Sequence, residues 1–242
     1  MYDYFARYYD LIFPFRNVNY DFLQRLINKP SANLLDLGCG TGSYLTKFWQ
    51  EGHQVVGVDL NTEMLRIARQ KCPEGHWLAL DLKEIDEIEK HLHEKFQSGF
   101  DLIFCSGNVL SYFKKEELSE ILPAIFQLLK ANGSWVFQIV NWQKILKQKD
   151  FTFPVIENQE HQLKFFRFYH DLNHKGAIFE TRLEQQGKIL FQDRHPLFAH
   201  TQVDMQRLHE NLPFRSKQFF GDFLGALFQS EKSSALIGVF QK

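Results

Sequence analysis

The chain has 242 residues, 44% of them hydrophobic, with 28 basic against 29 acidic side chains and a net charge of −1. That length suits one large domain or a domain with a sizeable insertion, and the apolar content can cover both faces of an α/β sheet. A near-neutral balance gives no global pull toward nucleic acid or an anionic membrane, so neither is an expected partner. Cys39, Cys72 and Cys105 are widely spaced with no CxxC pair, which argues against a disulfide framework or a structural zinc site and fits a reducing compartment. The N-terminal MYDYFARYYDLIFPF is aromatic and interrupted by charge, unlike a signal peptide, and no window is long enough for a membrane span. A soluble, cytoplasmic protein is expected.

In chain order, residues 33–37 (Asn-Leu-Leu-Asp-Leu) form a short apolar strand that runs into glycines. A helix is expected over 44–51 and a second buried strand over 54–59. Asn61 is placed to cap the next helix, whose Met64, Leu65 and Ala68 share the face toward the sheet. A third strand at 76–80, a charged connection over 83–95 and a fourth strand at 100–105 follow. Leu118, Ile121, Leu122, Ile125, Leu128 and Leu129 make a helical stripe, bent at Pro123 and ended by Asn132-Gly133. Strand five is expected over 135–140. Strands alternating with helices predict a parallel sheet wrapped by helices on both faces.

The pattern changes near residue 150. Residues 162–171, 177–186 and 188–199 are β-prone runs with no helix between them, joined by the turn-like Asn173-His174-Lys175-Gly176 and Gln186-Gly187. Such an antiparallel sheet cannot belong to the parallel core, so residues 151–200 read as an inserted lid. A helix at 202–211 and strands at 214–220 and 235–241 return to the core. Residues 1–150 form that core and carry the aromatic N-terminal cap.

Residues 34–42, LLDLGCGTG, place a glycine-rich turn between a strand and a helix, at the carboxyl end of the sheet where such folds bind ligands. Gly38 and Gly40 remove side chains so that a ligand can lie against the backbone. The helix N-terminus beyond offers amides and partial positive charge. A dinucleotide site would read GxGxxG, whereas this chain reads Gly38-x-Gly40-x-Gly42. Asp59 ends the second strand, where a carboxylate can accept both hydroxyls of a ribose; Asp81 ends the third, placed to meet an adenine amino group. Each acid alone reads equally as a helix cap or turn residue. Together, Asp36, Asp59 and Asp81 after successive strands point to a ligand with one adenosine and no pyrophosphate.

With LLDLGCGTG at 34–42 and VVGVDLNTEML at 55–65, the sequence resembles the class I S-adenosylmethionine-dependent methyltransferases, from the N-terminal tyrosines to the final strand. The resemblance implies an α/β fold: a Rossmann-like, doubly wound, seven-stranded sheet with its last strand antiparallel. It implies S-adenosylmethionine as methyl donor and S-adenosylhomocysteine as product. Gly38 and Gly40 would contact the donor's methionine part, Asp59 its ribose and Asp81 its adenine. Asp36, Cys39, Gly42, Leu60, Met64, Leu82 and Cys105 would complete the donor site.

Residues 106–113, Ser-Gly-Asn-Val-Leu-Ser-Tyr-Phe, are similar to the matching segment of glycine and sarcosine N-methyltransferases and of sugar amine N,N-dimethyltransferases. Those groups also carry an antiparallel lid after strand five and an N-terminal tyrosine segment. Through the shared spacing to Tyr20, Tyr9 and Arg16 fall where relatives contact the donor, Arg16 near its carboxylate. A solvated surface charge is the other reading of Arg16.

Two departures narrow the acceptor. Relatives often place histidine where this chain has Tyr112, so no histidine base is available at that position. Glycine-specific enzymes set an arginine after strand five against the substrate carboxylate; here Asn141-Trp142-Gln143-Lys144 stands, so glycine is not the expected acceptor. Asn108, Tyr112 and Trp142 are the substrate-binding candidates, for an apolar or cationic acceptor, although Tyr112 and Trp142 read equally as core aromatics. Tyr9 and Tyr112 are the catalytic candidates, in positioning roles, because tyrosine is a poor base near neutral pH. The N-terminal tyrosines and the lid are expected to close over the cleft.

Ser106-Gly107-Asn108 offers no aromatic platform for a flipped nucleobase. His91, His93 and His195 make no three-ligand set, so no metal is expected. The expected activity is methyl transfer to a small-molecule amine, with a homodimer as the possible assembly. O- or C-methylation, a non-catalytic S-adenosylmethionine-binding protein and a nicotinamide oxidoreductase remain as alternatives.

Overall fold

The computed structural model describes residues 5–148 and 151–242, so Tyr2 and Tyr4 of the expected aromatic cap lie outside the described residues. Its core is a seven-stranded sheet in the order β3 (His76–Ala79), β2 (Gln54–Asp59), β1 (Asn33–Leu37), β4 (Phe100–Cys105), β5 (Leu129–Val140), β11 (Ala235–Gln241), β10 (Ser216–Phe220). Strands β1 to β5 run parallel, and β11, the last in sequence, is antiparallel to both its neighbours. This is the doubly wound arrangement that the alternating pattern predicts.

Period-two alternation lets β1 serve two layers. Leu35 and Leu37 enter a core shared with α5 (Lys115–Leu128) and α7 (Gln202–Leu208). Leu34 packs on the other side, with Phe48 of α3 (Ser43–Gln50) and with Leu65 and Ala68 of α4 (Thr62–Lys71). All three leucines are fully buried, each stabilising the fold by about 1.5–3 kcal/mol. Asn61 caps α4 as expected, its Oδ1 accepting the Met64 N–H at 2.9 Å. Two short helices, α1 (Tyr9–Ile12) and α2 (Asn17–Gln24), precede the sheet.

Asn132-Gly133 does not end α5. The helix stops at Leu128 and β5 begins at once. Lys242 Nζ donates to the carbonyls of Phe126 and Leu129, both at 2.8 Å, and so takes the capping role from a distant part of the chain. Asn132, at φ 66°, instead sits within β5. There Phe100 pairs with Leu129 but Leu102 pairs with Ser134, so residues 130–133 bulge. Pro123 is accommodated inside α5.

After α6 (Trp142–Ile145) comes a separate antiparallel sheet, β6 (Ile156–Asn158), β7 (Leu163–Asn173), β8 (Gly176–Gln185) and β9 (Lys188–Phe198). Three of these strands match the β-prone runs; β6 is too short to show a period. Leu163, Phe165, Leu183 and Phe191 of this lid pack on Phe5, Ala6, Ile12 and Met64. Among the described residues no helix is long and apolar enough to cross a membrane.

The return of the chain to the core buries His209. Trp135 Nε1–H donates to its Nε2 at 3.1 Å, and its Nδ1–H donates to the Met205 carbonyl at 2.7 Å. A ring with one nitrogen accepting and the other donating is neutral, and burial pushes this imidazole down to about 4. An unfolded chain holds histidine near 6.5. Below that value the unfolded state therefore gains a proton that the fold refuses. Stability is full above pH 6.5 and falls by roughly 3 kcal/mol as pH drops toward 4. The urea midpoint should decline across this window, and His209→Gln should flatten part of the decline. A wild-type midpoint that stays constant there would refute the assignment.

Candidate functional site

The glycine loop leaves β1 and is pinned to the end of β2. Gly38 and Cys39 donate their N–H groups to the Val58 carbonyl at 2.8 and 2.9 Å, and the Gly40 N–H donates to Asp59 Oδ2 at 2.8 Å. The other Asp59 oxygen accepts from the Asn61 N–H at 2.8 Å. The Leu60 N–H is a third donor to this carboxylate, which leaves one lone pair for a further donor. Burial outweighs these bonds and raises the Asp59 carboxyl above its ordinary value. Asp36 is only 3% exposed, and its Oδ1 has no hydrogen-bond partner. Burial first, and the charge of Asp59 second, push it well above the usual carboxylate range. Two acids in electrostatic reach of each other, one with an unsatisfied oxygen, suit a cationic, hydrogen-bond-donating ligand.

Helix α1 lays Tyr9 over this loop. Its ring atoms lie 3.5–3.7 Å from where a Cβ on Gly40 would sit, so a side chain there would close the space between ring and backbone. Burial, followed by the charges of Asp59, Asp36 and Asp10, pushes the Tyr9 phenol up, and it stays protonated. The neighbouring Asp10 fastens the helix. Its carboxylate accepts from Thr41 Oγ1 and from Lys71 Nζ, each at 2.6 Å, and Lys71 also donates to the Thr41 and Ser43 hydroxyls at 2.9 and 2.8 Å. A negative charge is thereby held at the N-terminus of α3. Sequence reading misses this network because its members are scattered over four segments with no shared period.

Other expected donor contacts divide into two groups. Leu60 is 70% exposed directly after Asp59 and offers an apolar surface beside the loop. Asp81 Oδ1 accepts the Lys83 N–H at 3.0 Å and caps the 3-10 helix Leu82–His91, so one oxygen performs the capping role. Met64, Leu82 and Cys105 are core side chains; Met64 packs on α1, and burial pushes the Cys105 thiol well up. Cys39 is also buried and takes part through its N–H. Arg16 is exposed, with its backbone bonded to the Tyr44 hydroxyl. Gly42 has a packing role: a Cβ there would lie 2.4 Å from the Trp77 ring and 3.0 Å from Ala68 Cβ.

After β4, Asn108 (φ 69°) opens the 3-10 turn Val109–Tyr112. Its Oδ1 accepts from Ser111 Oγ at 2.8 Å and from the Val140 N–H at 3.0 Å, joining the ends of β4 and β5. Val109 packs on Gly38, where a Cβ would meet Val109 Cγ2 at 2.6 Å. Tyr112 is 37% exposed, its ring 5.9 Å from that of His195 on β9. Trp142 is buried: its indole N–H donates to Ser111 Oγ at 3.1 Å and its ring stacks on Tyr169 at 5.3 Å. Trp142 therefore anchors the lid as a core aromatic. Among the described residues no group of three or more His, Cys, Asp or Glu is arranged to hold a metal ion.

Residues 34–133 match the family model described as a methyltransferase domain. The chain is 42% identical over 122 residues to trans-aconitate 2-methyltransferase of Azoarcus sp., covering 49% of this chain and 43% of that protein. It is 27% identical over 129 residues to glycine/sarcosine N-methyltransferase of Parasynechococcus marenigrum, covering 52% and 45%. The chain spans about half the length of the curated relatives it matches. A solved S-adenosylmethionine-dependent methyltransferase from Clostridium acetobutylicum superposes with a TM-score of 0.73 at 18% identity, over 99% of this chain and 98% of that one. Residues 34–133 are thus similar to a methyltransferase domain, and the likeness of fold to the solved methyltransferase extends through the lid.

Gly42→Ala should destabilise the protein by about 1–3 kcal/mol, through strain at φ 68° and collision with Trp77. Thermal denaturation reads this directly; an unchanged Tm would remove Trp77 as the reason for this glycine.

Proposed function

We propose that this chain is an S-adenosylmethionine-dependent methyltransferase acting on a small molecule, at an amine nitrogen. The observation that carries the donor half is the acid pair at the glycine loop: Asp36 with a buried oxygen lacking a partner, and Asp59 held by the Gly40 amide. A ligand bearing sulfonium and ammonium charges supplies the positive charge these acids lack. The missing side chain at Gly40 keeps the space beneath the Tyr9 ring open, whereas the bare Gly38 accommodates Val109. In this reading Asp59 accepts the ribose hydroxyls, Asp81 meets the adenine amino group, Leu60 covers an adenine face and Tyr9 roofs the cleft.

When bound, the donor supplies a methyl carbon made electrophilic by its positively charged sulfur. The chain's own work is positional. Holding the nucleophile in line and near contact is worth up to roughly 7–11 kcal/mol in favourable cases. Helix α1 and the lid exclude water. Tyr9, kept as a phenol, donates a hydrogen bond and does not take a proton.

The amine is supported by the 106–113 segment and by the similarity to glycine/sarcosine N-methyltransferase. A carboxylic acid acceptor is the second reading, favoured by the 42% identity to trans-aconitate 2-methyltransferase.

Calorimetry with S-adenosylmethionine and S-adenosylhomocysteine tests the donor site. Asp59→Ala should weaken binding about 10–100-fold, the worth of a hydrogen bond to a charged group. Tyr9→Phe should lower turnover by up to about tenfold with Tm unchanged. Transfer of label from [methyl-³H]S-adenosylmethionine into a small-molecule extract of cells carrying the gene, followed by NMR of the product, distinguishes nitrogen from oxygen. No affinity of the wild type for either nucleoside would refute the reading.

A further inference from the structure

The donor reading leaves unused an arginine on the inner face of the lid. Strand register defines that face. Leu183, which shares an apolar cluster with Phe5 and Ile12, is paired with Phe165 on β7 and Phe191 on β9. Residues two apart share a side, so the next row on it is Arg167, Thr181 and Asp193, and the row beyond is Tyr169, Phe179 and His195. Arg167 is thus bracketed on its own strand. On one side, Phe165 meets Phe5 at 5.3 Å and Phe13 at 5.4 Å, and both of those rings touch Tyr9, at 5.9 and 5.2 Å. On the other side, Tyr169 stacks on Trp142, just after β5. Each bracket stands roughly 6.6 Å away along the strand. Arg167 therefore faces the space between Tyr9, which lies over Gly40, and the carboxyl end of β5.

The guanidinium is held there but not neutralised. Its Cζ lies 4.8 Å over the Phe153 ring, and an Nη2–H donates to the Pro154 carbonyl at 3.1 Å. Its Nε is enclosed and has no hydrogen-bond partner. Burial pushes the group below its ordinary value. Among the described residues the one ionisable group that opposes this is the Tyr169 phenol, itself pushed up by burial and so uncharged near neutral pH. An arginine stays charged all the same. The other arginines of the lid sheet show the contrast. On its outer face Arg182 pairs with Glu184 at 2.8 Å, and Arg194 pairs with the buried Glu180. Asp193 shares the inner face with Arg167 but lies two strand spacings away, about 10 Å. Its carboxylate is engaged by His195 Nε2 and by the Arg194 N–H, both at 2.8 Å.

We propose that Arg167 binds a carboxylate of the methyl acceptor, one set apart from the atom that is methylated. The proposal rests on the methyltransferase reading and narrows it. A half-buried charge with an enclosed, unsatisfied N–H is costly unless an anion answers it. In these three rows Arg167 is the one permanent cation, so the group that fits it carries a single negative charge. The planar fork of a guanidinium matches the two oxygens of a carboxylate. Phe153 covers one face of that plane and Pro154 fixes one donor, so the fork is oriented before a ligand arrives. Gripping the acceptor at its carboxylate holds the rest of the molecule in the space toward Tyr9 and the glycine loop, where alignment with the methyl donor is needed. The apolar or cationic acceptor expected from Tyr112 and Trp142 gives way to one with a negative group. Nitrogen and oxygen acceptors both meet this condition, because the carboxylate held is not the atom methylated.

The test uses the full chain and the acceptor that [methyl-³H]S-adenosylmethionine labels in the small-molecule extract. The labelled product is purified and read by ¹³C and ³¹P NMR, and a free carboxyl carbon is expected. The unlabelled acceptor is then titrated against the wild type, Arg167→Gln and Arg167→Lys, with Tm and S-adenosylhomocysteine affinity measured for each. Arg167→Gln should raise KM about 10–100-fold, the worth of hydrogen bonds to a charged group. Its kcat at saturating acceptor, its Tm and its S-adenosylhomocysteine affinity should match the wild type. Arg167→Lys keeps the charge without the fork and should fall between. A product without a free carboxyl group, a phosphate ester in its place included, overturns the proposal and leaves the methyltransferase reading standing. So does a wild-type KM in Arg167→Gln. Loss of Tm and of S-adenosylhomocysteine affinity in both variants, in step with transfer, assigns Arg167 a structural role and also overturns it. A wild type that binds no S-adenosylhomocysteine or transfers no label sinks the methyltransferase reading, and this proposal with it.

Discussion

Three consecutive amides, those of Gly38, Cys39 and Gly40, are held by the last two residues of β2, through the Val58 carbonyl and the Asp59 carboxylate. The loop therefore takes its shape from the register of β1 on β2, in which Leu37 lies opposite Val58. A slip of one residue would carry Asp59 out of reach and turn the buried leucines of β1 to the wrong layer. The apolar strand core and the polar site are thus specified by one alignment. The acid that shapes the loop is also one of the two whose charge calls for a cation.

Where one force dominates locally, the sequence is legible. The apolar runs of β1, β2 and β4, the Asn61 cap and the carboxylates that follow successive strands all follow from neighbours in the chain. Contacts between distant segments are not legible. Asn132-Gly133 reads as a helix stop, but Lys242, distant in sequence yet just after the strand beside β5, supplies the cap. Asp10 and Lys71 share no period, yet their ion pair fastens α1. Gly42 reads as a ligand glycine, because a pattern cannot reveal whether a ligand or a neighbouring ring demands the missing side chain. The same ambiguity covers Trp142, whose burial depends on a lid that periodicity places only coarsely.

Helix α1 and the residues just before it join two parts of the protein by different physics. On the lid side, Phe5 stacks on Phe165 at 5.3 Å and on Phe191 at 5.1 Å, and Asn158 donates to the Leu11 carbonyl at 3.2 Å. On the loop side, the tie is the ionic network of Asp10 with Lys71, Thr41 and Ser43. The aromatic seam is indifferent to salt, whereas the ionic tie, partly exposed, is screened by it. Any displacement of the lid that keeps the seam intact also moves Tyr9, so the position of the lid and the covering of the glycine loop are mechanically linked.

Trp77 fills a slot whose walls are bare backbone. A Cβ on Gly42, Gly57 or Gly75 would come within 2.4–2.8 Å of its indole, whose N–H is anchored on the Cys72 carbonyl. For the lineage of this chain, such a slot makes change a joint affair. A larger residue at any of the three positions is admissible only once the ring has shrunk, and a smaller residue at 77 opens three gaps together. The four sites are sterically coupled, and Gly42, which looks like part of the signature of a nucleoside, is also part of the mould of a tryptophan.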